Sequence, residues 1–263
     1  VISVLFESHY IMSDHQVPFH VPDIGAEEMS AVMKVLESGW LTTGPKVQQF
    51  EESFAAQVGA EHAVATNSCT AALHVALEAL GIEEGDEVLI PTMTFAATAE
   101  VVAYFKATPV LLDCDPFTLN LDVAALSGKI TRRTKAVIPV HIAGLPCDMQ
   151  GILAAASSHG LAVVEDAAHA FPSSYRGQPI GSVGDITCFS FYATKTLTTG
   201  EGGMATTNNQ AWAERMRRMT LHGITKDAWK RYSDSGSWYY EIGAPGYKYN
   251  LTDIAAAIGI EQL

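Results

Sequence analysis

The chain has 263 residues, 48% hydrophobic and 17% charged, which gives core material for one large or two modest domains and excludes a disordered chain. Its formal net charge of −13, with only 16 lysines and arginines, argues against holding nucleic acid through its phosphates. Cys69, Cys114, Cys147 and Cys188 have neither metal-ligand spacing nor a dense disulfide pattern, so reduced thiols in a cytoplasmic protein are expected.

The opening Val1 to Phe6 has neither the basic start nor the long apolar region of a signal peptide, and no apolar run reaches membrane-spanning length. After an N-terminal segment over 1–24, Gly25 to Ser38 reads as a helix with Met29, Val32, Met33 and Leu36 at helical spacing and Gly39 at its end. A second helix is expected from Pro45 to Val58. Strand and helix signals then alternate: strand His62 to Thr66, helix Thr70 to Leu80, strand Glu87 to Ile90, helix Ala96 to Phe105, and strands Thr108 to Leu112 and Ala136 to Val140. Helix Asp148 to His159 and strand Leu161 to Val164 follow. Ile186 to Phe191 and Gly203 to Thr207 read as two strands flanking a lysine-bearing loop, with a helix from Gln210 to Leu221 behind them. Ile254 to Leu263 is still helical at the last residue and reads as truncated. The alternation predicts an α/β fold, a mostly parallel sheet covered on both faces, with ligands at the carboxyl ends of its strands. Residues 25–263 are expected to form one domain.

Lys195 lies among apolar and small residues in Phe189-Ser-Phe-Tyr-Ala-Thr-Lys195, just ahead of Gly200-Glu-Gly-Gly203. It is either an active-site amine, made nucleophilic by burial, or an ordinary solvated lysine. The turn Thr66-Asn-Ser68-Cys69-Thr70 puts Ser68 or Thr70 at a helix N-terminus, either as a plain cap or where free amides favour a phosphate. The strand ending at Val164 runs into Glu165 and Asp166, with His169 three residues on. Such an acid could hold a protonated ring nitrogen, sit exposed in a loop, or bind the ribose of a dinucleotide. The dinucleotide reading needs an earlier Gly-x-Gly-x-x-Gly turn, which the sequence lacks, and Gly39 to Lys46 fails as a Walker loop because Pro45 precedes its lysine. Phe95 falls at the same sheet edge, as a stacking ring or as core. A phosphate-ready helix start, a stacking aromatic, a strand-end acid and a lysine on an apolar loop together specify pyridoxal phosphate.

In these residues and the motifs around them, the chain resembles the sugar-nucleotide aminotransferases of the DegT/StrS type, within fold type I of the pyridoxal phosphate enzymes. The resemblance runs from about Val17 to Leu263. It rests on Glu37 to Pro45, Asn67 to Ala72, Gly85 to Val88, Pro139 to Gly144, Glu165 to Ala170, Phe189 to Phe191 with Lys195, Gly200 to Gly203, and Gly246 to Asp253. The Gly246-Tyr-Lys-Tyr-Asn250 form is most similar to that of the UDP-4-amino-4-deoxy-L-arabinose oxoglutarate aminotransferases.

The resemblance implies a three-layer fold type I large domain, with the family's small C-terminal domain missing from this sequence. It implies that Lys195 is the Schiff-base lysine and proton shuttle, and that Asp166 partners the pyridine nitrogen. His169 would stand near the cofactor's phenolic oxygen, and Phe95 would stack on the ring. Ser68, Cys69, Thr70 and Ser190 would cradle the phosphate. Asn250 would reach the phosphate of a neighbouring subunit's cofactor, which implies a homodimer with shared sites; Lys248 and Asn250 stand where many members carry Asn and Arg. The implied reaction moves the amino group of glutamate, released as 2-oxoglutarate, to a nucleotide-linked keto sugar. Lys195 argues against the dehydrating branch of the family, which has histidine there. A non-catalytic cofactor-binding protein, or an enzyme of the same fold acting on an amino acid, remain the other readings.

Overall fold

The computed structural model describes residues 17–224 and 241–263. The readings made on Val1 to Phe6, and on most of the segment 1–24, lie outside those residues. In chain order the elements are α1 (Ala26–Ser38), α2 (Pro45–Val58), β1 (His62–Thr66), α3 (Cys69–Leu80), β2 (Glu87–Pro91), α4 (Ala96–Ala103), β3 (Thr108–Leu112) and β4 (Thr134–Val137). Then come α5 (Met149–His159), β5 (Ala162–Asp166), the short hairpin β6 (Ser174–Tyr175) and β7 (Gln178–Pro179), β8 (Ile186–Ser190), β9 (Gly203–Thr207), α6 (Gln210–Met219) and α7 (Asp253–Gln262).

Seven strands form one sheet in the order β1-β9-β8-β5-β4-β2-β3. All pairings are parallel except those of β9, which runs against both β1 and β8. The pleat sends alternate residues to opposite faces, and both faces are buried. Val64, Val88, Ile90, Ala136, Val164, Ile186 and Cys188 pack with Leu73 and Leu77 of α3 and Met216 of α6. On the other face Ala63, Ala65, Phe189 and Met204 meet Phe50 and Phe54 of α2, while Leu89, Val137 and Val163 meet Ile152 of α5. This is the three-layer α/β architecture expected.

Boundaries differ from the sequence reading where polar residues are buried with partners. β5 continues through Glu165 and Asp166 because both pair in register with Thr187 and Cys188 of β8. β4 is regular only to Val137, although beyond it the Ile138 N–H donates to the Leu89 carbonyl, the Asp166 N–H to the Pro139 carbonyl and the His141 N–H to the Asp166 carbonyl. Helix α4 stops at Ala103, two residues early, and Lys106 takes a left-handed conformation as the chain turns toward β3. The apolar stripe that marks α1 is not the face it buries: Met29, Met33 and Leu36 are exposed, while Glu28, Ala31 and Val35 are buried, Ala31 and Val35 packing with Ala257 of α7.

Two distant stretches meet at α2. Gly44 offers no side chain to cap that helix, and Asp253 of α7 does it instead, accepting from the Val47 N–H at 3.0 Å and the Lys46 N–H at 3.2 Å. The Thr43 hydroxyl donates to the Leu251 carbonyl at 2.6 Å. Thus Glu37 to Pro45 and Gly246 to Asp253 form a single structural unit.

Candidate active site

Strands β1, β5 and β8 point the same way, so their carboxyl ends share one edge of the sheet with the start of β9. Register places Gly203 opposite both Thr66 and Ser190, and Asp166 opposite Cys188. The loop from Phe191 to Gly202, which carries Lys195, therefore leaves and re-enters the sheet at that edge. Gly203 has to be glycine: a Cβ there would lie 2.5 Å from the Ser68 carbonyl and 2.6 Å from the Cys69 nitrogen. The turn into α3 thus rests directly on β9.

Ser68 is the N-cap of α3, its hydroxyl accepting from the Ala71 N–H at 3.1 Å. The capping alternative is therefore realised, and it leaves the earlier first-turn amides, those of Cys69 and Thr70, facing out of the helix end as donors for an anion. Ser190 is half-buried two residues past Cys188, and its oxygen accepts from the Tyr192 N–H at 3.3 Å.

Asp166 is buried, which rules out the loop-acid alternative. Its Oδ2 accepts from the Thr98 hydroxyl at 2.8 Å and its Oδ1 from the Ala168 N–H at 3.2 Å. Burial pushes this carboxyl up from its ordinary value, and the Thr98 and Ala168 bonds, with the neighbouring imidazoles of His141 and His169, hold it down in part. Lys195 is half-buried. Burial lowers its amine, while the Asp166 charge pulls the other way. His169 is also lowered, by burial and then by the Lys195 charge. The strand register brings the β5 end with Asp166, the start of α3 with Cys69 and the loop with Lys195 to the same edge. Burial and the nearby Asp166 charge raise Cys69 far above the usual thiol value, so it is a neutral lining group rather than a thiolate.

Phe95 is the N-cap of α4 and is 80% exposed, so the core alternative fails and the ring face is free to stack. Asn250 reaches the same edge through a backbone bridge to Thr66. Its side chain is satisfied within its own chain, donating to the Thr43 hydroxyl at 2.7 Å and accepting from the Lys248 amine. Every candidate residue named from the sequence is thus on one sheet edge.

Sequence reasoning missed the buried groups behind that edge. Thr98 carries no motif of its own. His141, fully buried, bonds Glu165 at 2.9 Å. Asn120 accepts from the Ile142 N–H and donates to the Leu145 and Pro146 carbonyls, clamping the loop that holds His141. Among the described residues there is no His, Cys, Asp and Glu group that could hold a metal ion, and no helix long and apolar enough to cross a membrane.

The donor set fits pyridoxal phosphate: an amine of lowered basicity, a buried carboxylate for a ring N–H, a free aromatic face, and helix-start amides packed on a glycine that leaves room for them. The DegT/DnrJ/EryC1/StrS aminotransferase family model matches residues 22–263. The chain belongs to that family. Spore coat polysaccharide biosynthesis protein SpsC of Bacillus subtilis is 56% identical over 250 residues, covering 95% of this chain and 64% of SpsC. Spr1654 of Streptococcus pneumoniae, solved in its PLP form, matches with a TM-score of 0.86 at 37% identity over 94% of this chain and 66% of its own. DesI, solved in the presence of its TDP-sugar product, matches with a TM-score of 0.80 at 37% identity over 92% of this chain and 58% of its own. The chain spans less than two thirds of the length of each of these relatives.

Proposed function

We propose that the chain is the cofactor-binding part of a pyridoxal phosphate-dependent aminotransferase that moves the amino group of glutamate to a nucleotide-linked keto sugar. The observation that carries this reading is the meeting of Lys195, Asp166, Phe95 and the α3 start at one sheet edge, in a chain of this family. The cofactor, when bound, supplies the electron sink that makes the carbon–hydrogen bond beside an amine acidic.

The chain's own residues do the rest. Lys195 holds the cofactor through its Nζ and, when free, takes and returns the substrate proton; burial brings its basicity toward neutral pH, as a group acting in turn as base and acid requires. Asp166 keeps the ring nitrogen protonated, which its bond from Thr98 favours by stabilising the anion. Phe95 covers one face of the ring. The amides of Cys69 and Thr70, with the hydroxyls of Ser68, Thr70 and Ser190, bind the phosphate at the positive end of the α3 dipole. His169, lowered in basicity and on the loop after β5, would stand near the ring's phenolic oxygen when the cofactor is bound. Asn250, half-buried at that edge, would have to exchange its bonds to Thr43 and Lys248 for the phosphate of a second subunit in a homodimer with shared sites.

SpsC is described by spore coat polysaccharide biosynthesis and DesI by a TDP-sugar product, which supports a keto sugar carried on a nucleotide, in cell-envelope or secondary-metabolite synthesis. The test is transfer of nitrogen from labelled glutamate to a panel of nucleotide-linked 4-keto sugars. Label in the sugar product supports the reading; label that stays in glutamate with every sugar, or moves only to an amino acid, overturns it.

A further inference from the structure

The first turn of α4 touches the candidate site twice. Phe95 caps it with its ring exposed, and three residues on Thr98 is fully buried with its hydroxyl donating to Asp166 Oδ2 at 2.8 Å. Thr94 Oγ1 lies 2.6 Å from Thr98 Oγ1. A hydroxyl has one hydrogen, and that of Thr98 is committed to a carboxylate that has none to give. The Thr94 hydroxyl must therefore be the donor in the upper bond, and the two threonines form a directed chain that ends on Asp166. Such chains polarise, so the second hydroxyl strengthens the first as a donor.

We propose that Thr98 is a positioning residue for the ring-nitrogen site: with Thr94 behind it, its hydroxyl holds the Asp166 carboxylate ionised and aimed at the cofactor ring. The inference rests on the pyridoxal phosphate reading of this site. Burial alone works against an anion here, and the Thr98 bond is the largest influence opposing it, ahead of the Ala168 N–H and the neighbouring imidazoles of His141 and His169. The other titratable groups facing Asp166 do not replace it. Cys69 and Cys188 are thiols kept neutral by burial, and Lys195 is committed to the cofactor. Because Phe95 and Thr98 share one helical turn, the ring's stacking face and the orientation of its acid are set by a single rigid element.

The test titrates apoprotein with pyridoxal phosphate and with its analogue carrying carbon in place of the ring nitrogen. Thr98→Val keeps the shape and deletes the donor; Thr98→Ser keeps the donor. The valine variant is expected to weaken pyridoxal phosphate about tenfold or more while changing the analogue less than about threefold, with serine restoring most of the loss. Thr94→Val should move the same ratio in the same direction by about threefold, and it decides the matter if the Thr98→Val protein does not fold. Equal losses for both ligands would make Thr98 a packing residue, and wild-type affinity for both would make it irrelevant; either overturns the proposal. A wild-type protein that binds neither ligand would instead overturn the cofactor reading, and this inference with it.

Discussion

His141 and Glu165 form a fully buried pair in which the imidazole Nε2 lies 2.9 Å from a carboxylate oxygen. The other ring nitrogen accepts from the Cys147 N–H at 3.1 Å, so the network places the imidazole proton on Nε2, pointing at Glu165. Glu165 also receives the Gly184 N–H at 2.8 Å and the Thr187 hydroxyl at 2.7 Å. Three donors thus converge on one carboxylate beneath the strand end that carries Asp166. Glu165→Gln supplies an amide whose NH2 must face a donor, and it should cost roughly 2–3 kcal/mol of unfolding free energy in urea. A neutral result would show that the pair is not needed for the strand end.

Asp166→Asn tests the buried carboxyl itself. Burial raises Asp166 above the ordinary aspartate value of 3.8, so the folded apoprotein holds that proton more tightly than the unfolded chain. The resulting stabilisation is full below that value and is lost as pH rises through the raised one. The asparagine variant has no such loss. Urea unfolding of both apoproteins from about pH 4 to about pH 8 should show the wild type losing ground to the variant as pH rises, while the variant binds pyridoxal phosphate more weakly. A difference that runs the other way with pH would contradict the burial argument.

Phe95→Ala separates stacking from stability. The ring is mostly exposed, so unfolding free energy should change by less than about 0.5 kcal/mol. Pyridoxal phosphate should nonetheless dissociate about three- to tenfold more readily, the scale of one aromatic contact. Unchanged affinity would remove Phe95 from the site.

Asp253→Ala removes the cap that α7 lends to α2, and should destabilise by about 1–2 kcal/mol in thermal or urea unfolding. Asp253→Asn, which keeps an acceptor, should lose less.

Much of this was legible in the sequence because the signals were local. The strands His62 to Thr66, Thr108 to Leu112 and Gly203 to Thr207 are apolar or β-branched runs between turn residues, and they stand where periodicity put them. Lys195, Asp166 and Ser68 gather because parallel strands deliver their ends to one edge, a consequence of topology alone. Thr98 and His141 were not legible: a single threonine on an apolar helix finds its carboxylate 68 residues away, and a lone histidine after a strand shows no sign of its glutamate. The exposed stripe on α1 misled for the opposite reason, since spacing reports a helix but not which face is covered. The motif ending in Asp253 was matched by family likeness; its physical reason, a cap on a helix two hundred residues earlier, needed the fold.

The proposed function stands or falls on whether the Lys195 amine carries the cofactor. The most direct measurement is borohydride reduction of protein incubated with pyridoxal phosphate, followed by peptide mass mapping. The expected result is a reduced pyridoxyl group on Lys195, visible absorbance before reduction, and loss of both in Lys195→Ala. A group fixed on another lysine, or none on the wild type, would contradict it.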